Sequence, residues 1–572
     1  MVLAIVLSAL VLFGWTALSE RFFPAPKAPA TTTAPAPAVT AGGAVPAAPV
    51  VAKPLVRDVK AVLAEGNRVI IETPRLSGSI NLKGAEIDDL VLLTYRQTAK
   101  KKSPPVRLLS PGGAKDSYYA GFGWLGEGAV VPGRDTLWTS DGAKLTPQTP
   151  VTLSWDNGAG QAYRIRIAID ANYMFTIDQG VTNTGTGAVA ARSYSYVSRT
   201  KAANTGGSML APSKDVDSWT MHIGPVGTFN DAANYDIDYD DVDEAGAEGV
   251  RLPTKGGWLG FGETYWLTAL IPAKGMNVDA RFRAGNGSYQ AEFSTPQAIV
   301  GPGKTLSGTS HLFAGAKEIR TLDTYEEDLG IPLFGKAIDW GYFEIIEKPI
   351  FYFLDWLFKL VGNFGVAIIL LTVTVRGLMF PIAQKQFASM AAMRVVQPKL
   401  KALQEKHKDD KPKLQQEMMA LYQKEKINPM AGCLPIFLQI PVFYALYKVL
   451  MLTIEMRHQP FALWIHDLSA PDPATVLNLF GLLDFTPPSF LALGVFPILL
   501  GITMWLQFKL NPAPMDPVQQ QMFSIMPWVM MFMMAPFAAG LQLYWIMSNV
   551  LTIAQQKWLY SRHPALREPV KT

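Results

Sequence analysis

The chain has one cysteine, few charged residues and no nucleotide-binding motif. With Cys433 alone, neither an intrachain disulfide nor a metal site built from cysteines is possible. Charged residues make up 17% of the 572 residues, against about 25% in ordinary soluble domains. Because long apolar runs dominate residues 340–560, a wholly soluble enzyme is excluded. The formal net charge of +4 is small and dispersed, and it gives no argument for direct nucleic-acid binding.

The first apolar run lies at the N-terminus. Residues 2–18 are apolar apart from Ser8 and Thr16, and at about 1.5 Å per residue such a run just crosses a bilayer. The sequence predicts an uncleaved transmembrane anchor over 1–20. The alternative is a cleavable signal peptide, whose apolar stretch is typically shorter. Residues 21–54 contain eight prolines and are predicted to form an extended periplasmic linker.

Residues 55–335 show the period-two alternation of short strands. Polar and apolar side chains alternate over 163–170 (YRIRIAID), and Asn157-Gly158 supplies a turn before this segment. Many short strands without helical periodicity indicate a large antiparallel β-sandwich. Since this domain follows an N-terminal anchor, it is predicted to lie in the periplasm.

The hydrophobic period becomes that of a helix over 336–362. Apolar residues recur there at steps of three and four, at Phe343, Ile346, Ile350, Leu354, Leu357 and Val361, while Glu344, Lys348, Asp355 and Lys359 occupy another face. This pattern predicts an amphipathic helix. Because long apolar runs follow it, the helix is expected to lie in the membrane interface; the alternative is a core helix of the β-sandwich.

Five further membrane-spanning helices are predicted. They cover 363–382, 433–456, 490–510, 522–538 and 541–560, separated by a cytoplasmic segment over 383–432, a periplasmic loop over 457–489 and a cytoplasmic loop over 511–521, with a cytoplasmic tail over 561–572. Ten Lys and Arg residues lie in 383–432 and one in 457–489. The positive-inside rule therefore places 383–432 and both termini in the cytoplasm. The predicted fold is an α-helical membrane bundle of six transmembrane helices, five forming its core, with an all-β periplasmic domain.

The cytoplasmic segment 383–432 is itself patterned. One apolar stripe comprises Met390, Met393, Val396, Leu400 and Leu403, and a second comprises Leu414, Met418 and Leu421. Asp409-Asp410-Lys411-Pro412 separates the stripes as a turn and helix start. The pattern predicts an antiparallel helical hairpin that serves as a docking surface. The alternative is a solvated connector.

Arg376 lies inside the predicted span 363–382. An arginine near the centre of a membrane helix costs about 2.5–3.5 kcal/mol on insertion scales, so an intramembrane arginine indicates a function. One structural alternative is that its side chain snorkels to the cytoplasmic interface. The other is a buried ion pair, but no predicted span supplies a central Asp or Glu, and Glu455 lies at the opposite membrane face.

Polar residues on several predicted spans would solvate this guanidinium. Tyr544, Ser548 and Thr552 are spaced by four on one helical face. The other candidates are Thr372, Gln439, Thr503, Gln507 and Asn549. Singly, each is explained by an interhelical hydrogen bond. Their concentration on several spans predicts a wet, substrate-binding groove around Arg376, since polar surface at membrane depth must face protein or water.

Ordered motifs in the second half of the chain resemble those of the YidC membrane protein insertase family. They are Asn363-Phe364-Gly365, Val375-Arg376-Gly377, Gln397-Pro398-Lys399, the run from Gln416 to Tyr422, Asn428-Pro429, Gly432-Cys433-Leu434-Pro435, the run from Pro460 to Ser469, and Ser548-Asn549. The resemblance covers about 350–560. Lys255-Gly256-Gly257-Trp258 extends it more weakly into the β-domain, where it is similar to the Gram-negative type.

The resemblance implies a hydrophilic groove, open to the cytoplasm and to lipid, with an arginine that corresponds to Arg376. Relatives commonly carry Tyr-Tyr in the last span, where this chain has Tyr544-Trp545, so Trp545 joins the candidate groove residues. The resemblance also implies a periplasmic β-supersandwich similar to sugar mutarotases. The implied partners are nascent membrane proteins, the phospholipid bilayer, the Sec translocon and, through the cytoplasmic hairpin, the ribosome.

We therefore expect an insertase and chaperone of the bacterial inner membrane, working alone or with the Sec translocon. No catalytic residue, metal or cofactor is expected, so the chain is not predicted to be an enzyme. Without a nucleotide motif, the driving force would be partitioning of apolar segments and the membrane potential. The alternatives are a polar-lumen transporter and an ectoenzyme acting through the mutarotase-like periplasmic domain.

Overall fold

The computed structural model describes most of the chain beyond the predicted linker. The described residues are 57–100, 102–127, 129–200, 221–285, 287–407, 410–425, 434–480, 483, 492–510 and 517–562. The predicted anchor over 1–20 and the linker over 21–54 lie outside them, as does most of the predicted loop over 511–521.

Two β-sheets form the N-terminal part of the described chain. Their strands are β1 (Arg68–Glu72), β2 (Leu76–Asn81), β3 (Glu86–Arg96), β4 (Pro105–Leu109), β5 (Tyr118–Glu127), β6 (Thr139–Ser140), β7 (Lys144–Leu145), β8 (Val151–Asp156), β9 (Gln161–Ile169), β10 (Met174–Asn183), β11 (Val189–Thr200), β12 (Gly224–Phe229), β13 (Ala232–Asn234), β14 (Val250–Lys255), β15 (Trp258–Gly262), β16 (Trp266–Ile271), β17 (Asn277–Gly285), β18 (Ser288–Ser294), β19 (Ala298–Val300) and β20 (Lys304–Ala316). One sheet has the order β14-β17-β18-β11-β5-β3-β2-β1-β7, with β19 beside β11 and β4 beside β3; the other has the order β13-β12-β15-β16-β20-β10-β9-β8-β6. The prediction of a β-rich domain is confirmed, although the domain is not all-β, since three helices lie at Val59–Leu63, Tyr239–Ala245 and Ile319–Leu329.

The alternation read from the sequence corresponds to burial in β9. Tyr163, Ile165 and Ile167 are buried, whereas Arg164 and Arg166 between them are exposed. Strand β9 pairs antiparallel with β10, and Ile167 lies opposite Ile177. A shift of one residue would turn the buried set to solvent, so the apolar face fixes this register.

Aromatic side chains tie the end of the β-domain to its core. Phe334 is fully buried, and its ring lies edge-on to Trp258 at 5.4 Å and to Phe313 at 5.3 Å between centroids. Large buried rings contribute much of the apolar area of a core. The short 3₁₀ turn Phe334–Ala337 therefore fixes where the chain leaves the sheets and enters the helical part.

The described helices, apart from three short 3₁₀ turns, lie mostly in the second half of the chain. They are α1 (Val59–Leu63), α2 (Tyr239–Ala245), α3 (Ile319–Leu329), α4 (Glu344–Val361), α5 (Phe364–Leu378), α6 (Phe380–Lys406), α7 (Lys411–Lys424), α8 (Leu434–Leu452), α9 (Val495–Leu510), α10 (Pro517–Met534) and α11 (Ala539–Arg562). Helix α11 packs against α5, α8 and α9, and α4 packs against α5 and α8.

Helix α4 is the predicted amphipathic helix. It begins at Glu344 and not at 336, because 3₁₀ turns precede it. Phe351, Leu354 and Leu357 are buried, whereas Trp356 and Leu360 are exposed on the other side. Gly362, with φ of +70°, ends the helix in the left-handed conformation that glycine adopts without steric cost.

Several helices begin or end at positions other than those of the predicted spans. The span predicted over 363–382 is interrupted at Met379, and α6 starts at Phe380 with Pro381 in its first turn, where the missing N–H of proline is tolerated. Helix α8 ends at Leu452, before the predicted end at 456. Helix α10 ends at Met534, just before Pro536, although its span was predicted to reach 538.

None of the helices in the described residues has both the length and the apolar composition required of a membrane span. The count of six transmembrane helices therefore stays a prediction.

Helices α6 and α7 pack side by side in the predicted hairpin. Val396 and Leu400 are buried against Met418, Leu421 and Tyr422. The Lys399 ammonium lies 2.7 Å from the Glu425 carboxylate at the other end of the pair. Of the first predicted stripe, Met390 and Met393 lie outside the side chains that the structure describes.

Several polar contacts join the β-domain to the helices. The backbone N–H of Ile319 donates to Glu455 at 3.1 Å, Arg320 forms an ion pair with Asp355 at 2.6 Å, and Lys448 donates to the carbonyl oxygen of Asp339 at 2.8 Å. These contacts orient α4 and the end of α8 relative to α3.

Candidate functional site

Arg376 joins α5 to α11. Its Nε donates a hydrogen bond to the Ser548 hydroxyl at 2.9 Å, and its Nη2 donates to the same oxygen. Ser548 is buried and Arg376 is half-buried. Two donors on one neutral acceptor hold the guanidinium in place without cancelling its charge.

A second contact joins α8 to α11, one helical turn before Ser548 in the sequence of α11. Gln439 Nε2 donates to the Tyr544 hydroxyl at 2.7 Å. Gln439 Oε1 is buried and has no hydrogen-bond partner in the described part of the chain. An acceptor left unpaired in this way favours a donor from outside the described residues, since buried polar atoms are generally hydrogen-bonded.

A third contact joins α9 to α11. Asn549 Nδ2 donates to the Thr503 hydroxyl at 3.2 Å, and that hydroxyl in turn donates to the carbonyl oxygen of Leu500 at 3.0 Å. Helix α11 thus presents Tyr544, Ser548 and Asn549 to three different helices. The spacing of four and one residues within α11 makes this possible.

The remaining predicted groove residues play other parts in the structure. Thr372 and Thr552 donate to backbone carbonyls of their own helices, at Ile368 and Ser548, and do not reach Arg376. Trp545 is half-buried and its ring packs edge-on against Phe443 at 4.9 Å. Gln507 is half-buried, and its side chain bonds to no other residue of the cluster. The structure therefore brings together six of the candidates: Arg376, Gln439, Thr503, Tyr544, Ser548 and Asn549.

The cluster carries an uncompensated positive charge among the described residues. Arg376 forms no ion pair with a carboxylate there, which agrees with the lack of an acidic residue in the predicted spans near it. A half-buried cation held by a neutral hydroxyl group attracts anions more strongly than a fully hydrated cation does. The arrangement can bind a negative group transiently, and it carries no nucleophile and base in hydrogen-bonding reach of each other.

Sequence reasoning missed three buried polar residues in the helical part of the chain. Gln542 is fully buried and donates to the carbonyl oxygens of Met534 and Phe537, at 2.9 and 2.7 Å. Its amide thus satisfies the C-terminal end of α10. Lys448 and Glu347 lie buried where α8 meets α4; the single lysine inside the apolar run of α8 was the available signal.

Burial also alters the acidity of Glu347. Both carboxylate oxygens are buried without a hydrogen-bond partner in the described chain. Burial raises the pKa of Glu347 to about 8, while the nearby ammonium of Lys448 opposes this shift. The desolvation cost of the charged form is therefore larger than the attraction to the ammonium.

Comparison with known proteins assigns both halves of the chain. The family model described as "60Kd inner membrane protein" matches residues 356–566, and that described as "YidC periplasmic domain" matches 68–353. A membrane protein insertase YidC of Zymomonas mobilis is 48% identical over 99% of this chain and 96% of its own length. One of Granulibacter bethesdensis is 44% identical over 99% of this chain and 98% of its own length.

The chain belongs to the YidC family of membrane protein insertases. The matched ranges place the β-sheets in the periplasmic domain of the family and α5 to α11 in its inner-membrane part. A solved YidC insertase with its first transmembrane domain resolved is similar with a TM-score of 0.37 and 18% identity, over 86% of this chain and 95% of that one.

Proposed function

We propose that this chain inserts apolar segments of newly made proteins into the inner membrane, and that the cluster around Arg376 is the polar surface that their translocated tails pass. Membership of the insertase family supports the first part. The observation that carries the second part is the bonding of Arg376 to the neutral hydroxyl of Ser548. Because no carboxylate of the described chain neutralises it, the arginine is left to attract an acidic group of the client.

The driving force is external to this cluster. Burying an apolar segment of about 20 residues gains roughly 0.3–0.6 kcal/mol for each strongly apolar residue on the insertion scale. Moving one negative charge outward gains about 2.3 kcal/mol for each 100 mV of membrane potential. The task of the cluster is therefore kinetic: it shortens the apolar distance that a polar tail must cross.

The neighbouring elements have separate parts in this proposal. The hairpin of α6 and α7 receives the incoming segment in the cytoplasm, where the ribosome would contact the protein, and the Sec translocon is a further partner. The contact of Arg457 with the backbone of Arg96 in the β-domain supports a periplasmic position for the loop after α8. Both chain termini then lie in the cytoplasm, as the distribution of Lys and Arg predicts.

Photocrosslinking from two adjacent positions of α9 tests whether clients pass this cluster. A photoreactive residue at Gln507 continues the face of Thr503, whereas one at the exposed Leu506 lies at the same depth on a different face. A stalled nascent membrane protein should crosslink from position 507 and much less from position 506. Equal crosslinking from both positions, or none from 507, would contradict the proposed path.

A further inference from the structure

Two cavities lie where the β-domain meets the segment that follows α8. The larger has a volume of about 540 Å³, and Arg107, Tyr118, Arg199 and Trp266 are among its lining residues. The smaller has a volume of about 370 Å³ and is lined in part by Arg96, Lys100 and Glu455. Arg457 lines both. We call the pair of cavities the junction cleft.

Arg457 holds the two walls of the junction cleft together. Its guanidinium donates to the carbonyl oxygens of Arg96 at 2.8 Å and Gln97 at 3.2 Å. It also lies over the rings of Tyr265 and Trp266, at 5.6 and 5.4 Å from their centroids. Carbonyl groups and aromatic faces stabilise a cation without neutralising it. The centre of the cleft therefore keeps a positive charge.

Cations outnumber acids along the cleft. The cationic lining residues in the described chain are Arg96, Lys100, Arg107, Lys115, Arg199 and Arg457, and the acidic ones are Asp116, Glu263 and Glu455. Glu263 pairs with Arg199 at 3.3 Å, Arg107 pairs with Asp89, and Glu455 accepts from the N–H of Ile319. The lining cations that form no ion pair in the described chain are Arg96, Lys100, Lys115 and Arg457. Clefts lined mainly by one sign of charge concentrate ligands of the opposite sign.

We propose that the junction cleft binds an acidic, extended segment of the client polypeptide after it has crossed the membrane. This inference rests on the proposed function, because it assumes that tails attracted by Arg376 emerge on the side of the β-domain. The cations lie on both sides of Arg457, in two cavities. A chain with several carboxylates can reach both, whereas a single phosphate headgroup can occupy only one.

Peptide binding to the intact protein tests the proposal. The probe is a fluorescent, unstructured peptide rich in aspartate, and its twin carries asparagine in place of each aspartate; anisotropy is read with the full chain in nanodiscs. Lys100→Glu/Lys115→Glu reverses two exposed charges of the cleft and should weaken binding of the aspartate peptide about tenfold. The matched control, Arg251→Glu/Lys304→Glu, makes the same change of net charge at exposed positions outside the cleft and should leave binding nearly unchanged.

Three results would overturn the proposal. Binding of the asparagine twin as tight as that of the aspartate peptide, or equal loss of binding in the two double variants, would remove the role of the cleft charges. If Lys100→Glu/Lys115→Glu weakens the binding of short-chain phosphatidylglycerol and not that of the peptide, the cleft is a lipid-headgroup site. Peptide binding at the cleft and crosslinking of a client from position 507 are read in separate assays, so a failure at the cleft is distinguishable from a failure of insertion itself.

Discussion

A double-mutant cycle on Arg376 and Ser548 measures whether the contact between α5 and α11 is charge-assisted. The two N–H groups of Arg376 share one oxygen of Ser548. Hydrogen bonds to charged groups contribute about 1.5–3 kcal/mol, whereas interhelical hydrogen bonds in membranes average about 0.6 kcal/mol with a maximum near 1.7. Because the two donors share one acceptor inside a helical bundle, we expect a coupling energy of about 1.5 kcal/mol.

The assay is the free energy of unfolding in mixed micelles, measured for the wild-type chain, Arg376→Ala, Ser548→Ala and the double variant. The cycle cancels the cost of the cavity left by the arginine, since Arg376→Ala creates this cavity both in the presence and in the absence of the Ser548 hydroxyl. Thr503 and Asn549 form the control pair, because their hydrogen bond is neutral and 3.2 Å long; its coupling should be near ~0.6 kcal/mol.

Additive effects at Arg376 and Ser548 would refute the reasoning. A coupling energy below about 0.5 kcal/mol is within the scatter of independent sites. It would mean that the guanidinium forms its stabilising hydrogen bonds elsewhere, as in the snorkelling alternative. The 2.9 Å contact with Ser548 would then add nothing to stability.

Three further predictions concern other parts of the chain. Because the pKa of Glu347 is about 8 in the folded chain against 4.5 for an unperturbed glutamate, stability should fall as pH rises between these values, by up to about 1.4 kcal/mol per pH unit; Glu347→Gln should flatten this slope in pH-dependent unfolding, and an unchanged slope would contradict the assignment. In a chain lacking Cys433, Leu477→Cys should react with an impermeant thiol reagent from the periplasmic side and Met419→Cys only after lysis, whereas the reverse labelling would overturn the topology. Deletion of 399–426 with a short linker should leave the protein in the membrane but abolish insertion, and full activity would reduce the hairpin to a connector.

Local pattern was sufficient to predict the elements whose faces differ in polarity. The alternation over 163–170 predicts strand β9, since one face of the sheet is buried and the other is solvated. The steps of three and four after residue 343 predict that α4 is a helix, although its exposed side carries Trp356 and Leu360 and its buried side includes Glu347. The sequence does not show where an apolar run is interrupted within one long stretch. The break at Met379 depends on Pro381 fitting a helix start, which also required α5 to end there.

The sequence predicted which residues belong to the candidate cluster, but it predicted only some of the contacts that they make. Spacing by four placed Tyr544 and Ser548 on one face of α11, and the structure joins both to other helices. Spacing could not show that the Thr372 hydroxyl bonds within its own helix. The contact between Lys448 and Asp339 joins residues far apart in sequence, and only tertiary packing determines such a contact.

The central claim is that the charge of Arg376 acts on the translocated tail of the client. The most direct test measures insertion of two clients that differ only by Asp→Asn in that tail, with wild-type, Arg376→Lys and Arg376→Ala chains at matched levels. Lysine keeps the charge and loses the planar fork, so Arg376→Lys should retain much of the activity. Arg376→Ala should lose insertion of the acidic-tailed client and retain most of it for the neutral one. Equal loss for both clients would contradict the electrostatic role assigned to Arg376.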